Sequence, residues 1–157
     1  MATKKPLVIG TDGLPQQLQA GDTLGGASET GQVAQTAAVA LLAGNVVFTS
    51  GADAVNKAQA NAIGTKDVMG LALTAIAGAA SGIVQCNGIV VLTTAQWDVV
   101  CGTTGGLAFG ARYFLSPTTA GLMTATVPTT TGQYISEVGR GVSPTELRLE
   151  PCSPTLL

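Results

Sequence analysis

Turn signals fall about every ten residues along most of this chain, and that spacing limits it to short elements. Between the turns lie β-branched and apolar runs: "VVFTS" (Val46 to Ser50) before Gly51, "VMGLALTAI" (Val68 to Ile76), and "GIVQC" and "IVVLT" on either side of Asn87-Gly88. Runs of this length, bounded by Gly, Pro and Asn, read as strands. A two-residue Asn-Gly loop suits the left-handed dihedrals of a type I′ turn, so the last two runs are expected to pair as a hairpin. Gly70 inside its run points to a bulge or a close backbone approach.

One stretch has helical character. "TTAQWDVV" begins at Thr93, whose hydroxyl can cap the first turn, with Gln96 placed to complete a capping box. Trp97, Val100 and Cys101 would form its buried side, and the glycines of "GTTGG" (Gly102 to Gly106) stop it. Trp97, the sole tryptophan, is expected to be a core or interface anchor.

Strands resume with "ARYFLS" (Ala111 to Ser116) and "GLMTATV" (Gly121 to Val127). In "GQYISEVGRGV" strict alternation would put Tyr134, Ser136, Val138, Arg140 and Val142 on one face, opposite Ile135, Glu137, Gly139 and Gly141. "TELRLE" turns Leu147 and Leu149 inward, and Ser143-Pro144 links the two as a final hairpin. Tyr134 and Arg140 join Trp97 as expected oligomer-interface or core-anchor residues. The predicted fold is mainly β: an antiparallel β-sandwich or barrel-like domain with one short helix, residues 33–157, preceded by an extended N-terminal arm, residues 1–32.

The arm carries short apolar patches, Leu7-Val8-Ile9, then Leu14, Leu18 and Leu24, separated by Asp12-Gly13, Pro15 and Gly25-Gly26. It cannot bury its own leucines. It is read either as a flexible terminus or as a segment that orders on a partner, these six residues being the expected partner contacts.

Charge and chemistry exclude several functions. Charged residues are 10% of the 157, against roughly 25% in an ordinary soluble domain. The surface is therefore solvated by Thr, Ser, Gln and backbone. The seven Lys and Arg are scattered along the sequence and the net charge is −2, so nucleic-acid binding is not expected. The most apolar run, Ala37 to Phe48, is broken by Gly44 and Asn45 and is shorter than the ~20 residues of a membrane helix. The first ten residues carry only a three-residue apolar run after Pro6, so export by a secretory signal is not expected. The three cysteines, Cys86, Cys101 and Cys152, form neither a disulfide framework nor a zinc pattern, which suits a reducing cytosol.

There is no histidine, which removes the usual general base, the commonest metal ligand and the Ser-His or Cys-His pair. The acids are dispersed among arm, turns and polar strand faces. "GTKD" (Gly64 to Asp67) and "GRG" (Gly139 to Gly141) do not complete a phosphate-binding loop. No catalytic residue, cofactor or metal is expected.

The opening "KPLVIGTDGLPQQLQAGDTL" resembles N-termini of tailed-bacteriophage fibre and head-associated proteins. The series "LTTAQWD", "GG", "YFLS", "G-L", "TTTGQY", "VG-G" and "S-TEL" is similar to a β domain found at the C-terminal end of many phage virion proteins. The resemblance covers about the first 24 residues and the last 75. It implies a non-enzymatic virion component on the capsid surface, assembled in the host bacterial cytoplasm. A capsid decoration or cement protein suits a short chain: the arm docks on the major capsid protein and the β domain forms a homotrimer. The alternative is a tail or head fibre or adhesin subunit whose tip loops, Thr103 to Gly106 and Pro128 to Thr131, contact a host receptor or glycan. A small virion-borne enzyme is the third reading, disfavoured by the missing histidine.

Overall fold

The computed structural model describes residues 31–157 and, of the preceding segment, the backbone of Leu7–Ile9 and Pro15–Gln17. These two short runs are β1 and β2, paired antiparallel with Ile9 opposite Pro15. The described chain is mainly β, with one helix among the described residues.

Five strands close a small barrel in the order β3 (Gln32–Ala37), β5 (Ala54–Lys57), β4 (Val46–Gly51), β6 (Gly70–Ala72) and β7 (Ser81–Gln85). All its pairings are antiparallel except β3 with β5. Only three residues of the Val68 to Ile76 run form β6, and Ile76 bridges instead to Leu41. A Cβ on Gly70 would overlap the Gln85 carbonyl, so β6 and β7 approach as closely as they do because that position has no side chain.

The second sheet has the order β10 (Met123–Thr124), β9 (Arg112–Leu115), β12 (Glu137–Ser143), β13 (Glu146–Leu149) and β8 (Gly88–Val91). A two-stranded sheet joins β11 (Tyr134–Ile135) to β14 (Thr155–Leu156). Between them, Glu150 N donates to Val138 O and Cys152 N to Glu137 O, so β11–β12 and β13–β14 run as one long hairpin around Ser143-Pro144.

The Asn87-Gly88 hairpin does not form. β7 belongs to the barrel, while β8 crosses to pair with β13. Gly88 has φ +89°, but Asn87 does not enter the left-handed region, so the turn lacks the second positive φ that type I′ requires. Gln85 Nε2 donates to Asn87 O and Cys86 N to Gly31 O, fixing a crossover between sheets.

The helix α1 (Thr94–Cys101) forms as its sequence dictates. Thr93 N donates to Gln96 Oε1 at 2.9 Å and Gln96 N to Thr93 Oγ1 at 3.3 Å, completing the box. Gly102, at φ 64°, is the left-handed C-cap. Trp97 and Val100 are fully buried and Cys101 packs beside them.

Two hydrophobic clusters result. The larger joins the helix, the open sheet and one side of the barrel through Trp97, Tyr113, Leu115, Leu147, Val46 and Leu71. The smaller fills the barrel around Leu41, Val47, Val55, Val84 and Ile76. Burial on this scale, at ~25 cal/mol per Å2, is what a chain poor in ion pairs relies on. Among the described residues no helix is long and apolar enough to cross a membrane.

Candidate interaction surface

Strict alternation fails on β12, and the failure builds the surface of interest. Against β9, Glu137 pairs with Phe114 while Gly139 pairs with Tyr113, so two steps on β12 answer one on β9. This bulge at Val138 flips the side chains of the next residues, up to a second register shift between Gly141 and Ser143. Val138 points into the core and is fully buried, and Gly139 and Gly141 then take the inner face. Arg140 is exposed, so it is not a core anchor, and it does not continue the Val138 face as alternation predicts.

The "GRG" glycines have a structural cause. A Cβ on Gly139 would overlap the Arg148 carbonyl oxygen, and one on Gly141 would overlap that of Ala108. The backbone passes too closely there for any side chain, and the residue between must face outward.

On that outer side, Arg140 lies directly opposite Arg148 of β13 and Arg112 of β9, and Arg148 lies opposite Ile89 of β8. All three arginines of the chain thus form one cross-strand row. Directly opposed residues have Cβ atoms about 4.5–5.5 Å apart, and like charges so placed repel. The row ends are compensated: Arg112 Nε lies 3.2 Å from Glu137 Oε1 and Arg148 Nε 2.7 Å from Glu150 Oε1. Arg140, in the middle, has no carboxylate within ion-pair distance among the described residues.

Apolar side chains flank the row. Ile89 is 47% and Val91 62% exposed on edge strand β8, and Val142 is exposed beyond Arg140. Phe109 is 85% exposed on the loop entering β9, where Gly110 N donates to Gly141 O at 2.8 Å. Phe109 alone among the six aromatics is exposed. The sequence reading, which treated the basic residues as scattered, missed this surface. Positions 112, 140 and 148 are brought together only by strand pairing. The outward-forcing glycines around Arg140 were the available signal.

The other expected sites are placed as follows. Trp97 is an interior anchor, its Nε1 donating to Thr145 O at 3.0 Å. Tyr134 is half-buried against the larger cluster, with the Lys66 ammonium 5.5 Å from its ring centroid. Leu7, Val8 and Ile9 lie in β1, while Leu14, Leu18 and Leu24 lie outside the described residues.

The two tip loops do not share an end of the molecule. Gly106 packs on Pro144 at the turn between β12 and β13, and Asp98 holds that loop by accepting from Gly106 N at 2.7 Å and Gly105 N at 3.1 Å. Those bonds keep the Asp98 carboxyl below its ordinary pKa. Pro128 to Thr130 instead line a depression of ≈ 300 Å3 with Ser116 and Thr118, where β9 meets the start of the long hairpin at its opposite end.

Four of the described acids serve local structure. Glu137 and Glu150 hold arginines, Asp67 lies 2.7 Å from Lys66 Nζ, and Asp98 clasps a loop. Burial, then the charge of Asp98, pushes the Cys101 thiol up to about 12, and burial also raises that of Cys86. Cys152 is exposed. Compared with protein-family models and with curated proteins, the chain matches none.

Proposed function

We propose that this chain is a non-enzymatic structural subunit of a tailed-phage virion. It decorates and reinforces the capsid, with the N-terminal arm docking on the major capsid protein and the β domain forming a trimer. The observation that carries this reading is what the resemblance-bearing motifs do. "LTTAQWD" supplies the cap and the Trp97 indole that bonds Thr145 of "SPTEL"; the Gly106 of "GG" packs under Pro144; "YFLS" is the strand beside "VGRG". These motifs are used to lock one element onto another.

Such a unit acts mechanically. Several weak contacts, one arm and one face from each of three subunits, add by effective concentration to a strong hold on neighbouring shell proteins. The low charge of the chain leaves most of its attachment to apolar and hydrogen-bonding contacts.

Co-sedimentation tests the reading. Purified protein mixed with empty shells lacking it is expected to pellet with them, and a variant lacking residues 1–20 is expected to stay in the supernatant while remaining folded. Binding to host cells or glycans without binding to shells would replace this reading with the fibre or adhesin one, for which the threonine-lined depression at Pro128 to Thr130 is the place to look. Substrate turnover abolished by an Asp or Glu substitution would sink both.

A further inference from the structure

The outer face of the five-stranded sheet gathers all three arginines of the chain beside exposed apolar side chains. A chain that solvates itself with Thr and Gln places all three of its guanidinium groups in one row, at a cost in mutual repulsion, and puts Ile89 and Val91 beside it. Arginine and exposed aromatic or aliphatic side chains together are the composition of protein interfaces, where lysine is depleted. No lysine occurs in the row. We propose that this face is a docking surface for an acidic, apolar-flanked segment of another protein, with Arg140 receiving a partner carboxylate.

The charge arrangement selects that occupant. Three glutamates, Glu137, Glu146 and Glu150, lie along the same strands, so the region carries no formal excess of positive charge to draw in a long polyanion. Glu146 stands opposite Val91 and Ser143 and, among the described residues, leaves Arg140 uncompensated. What the face offers is short-range: a planar fork of donors at Arg140, with the outer nitrogens of Arg112 and Arg148 on either side and apolar rims beyond. That fork matches one carboxylate bidentately. A nucleic acid or sulfated glycan would meet the three glutamates at each neighbouring anion. The inference rests on the proposed function only in taking the partner to be a shell protein; the chemistry of the row is independent of it.

The test uses the full chain and an eight-residue peptide of alternating glutamate and valine, with an alternating lysine and valine peptide and a sulfated oligosaccharide as comparisons. Arginine Nε–Hε resonances are followed by NMR at low salt. The Arg140 resonance is expected to shift with the acidic peptide and not with the basic one. R140Q is expected to keep its melting temperature and weaken binding by about tenfold or more, through loss of the charge-assisted bidentate pair. R140K is expected to recover only part of it, because lysine keeps the charge without the fork. No shift, a shift elsewhere, or an affinity unchanged in R140Q would overturn the proposal. A shift with the sulfated oligosaccharide and none with the peptide would overturn it in favour of glycan binding. Light scattering showing an oligomer dissolved by R140Q would overturn it in favour of a second copy of this chain. Shells bound equally by wild type and R140Q would overturn this inference and leave the decoration reading intact; peptide binding without shell binding would do the reverse.

Discussion

Cys101 ends the helix against the larger cluster, and its thiol is pushed from 9.0 up to about 12, first by burial and then by the charge of Asp98. Because the folded value lies above the unfolded one, its contribution to stability is complete below about 9 and is lost as pH rises towards about 12. The urea midpoint is therefore expected to fall over that range, and to fall less steeply in C101A. Asp98 has the opposite sign. Its folded pKa is depressed, so the loop clasp contributes above the ordinary carboxylate range and is lost as pH falls through the lowered value. D98N is expected to lower the melting temperature near neutrality and to match wild type in strong acid. Glycines give a sharper contrast. G139A must push β12 from the Arg148 carbonyl and is expected to cost about 1–3 kcal/mol by urea unfolding. G64A meets nothing within 4 Å and has no left-handed φ, so it is expected to be neutral or to stabilise by about 0.4–1 kcal/mol.

At the scale of elements, the local rules held where the determinants were local. The helix was legible because its cap, its box and its terminating glycine sit within ten positions of one another, and T93A is expected to cost about 1 kcal/mol by the same measurement. The inward leucines Leu147 and Leu149 were legible from alternation alone, and both are fully buried. The Asn-Gly hairpin was not, because the two runs it joins are buried in different clusters, Val84 in the barrel and Val90 beside Trp97. A turn dipeptide records which dihedrals are allowed, not which strands will pair. The β12 alternation failed for a related reason: a bulge needs a partner strand, and Val138 carries no mark of it.

The whole molecule depends on one long hairpin whose middle completes the open sheet and whose outer end holds β14 against β11. Both clusters, as described, are assembled from residues between Ala37 and Leu149. If the arm is a tether, as proposed, removing residues 1–20 is expected to leave the free energy of urea unfolding within about 0.5 kcal/mol of wild type. A loss of several kcal/mol would show that the arm completes the domain. The mainly β class, the short helix and its buried tryptophan followed from the sequence by itself, since periodicity, capping and turn chemistry act over a few residues. Which strands close the barrel, where β12 slips its register, and the meeting of Arg112, Arg140 and Arg148 were decided only by tertiary structure. Those features depend on pairings between distant segments, chosen by which apolar faces can be buried together, and no local pattern encodes that choice.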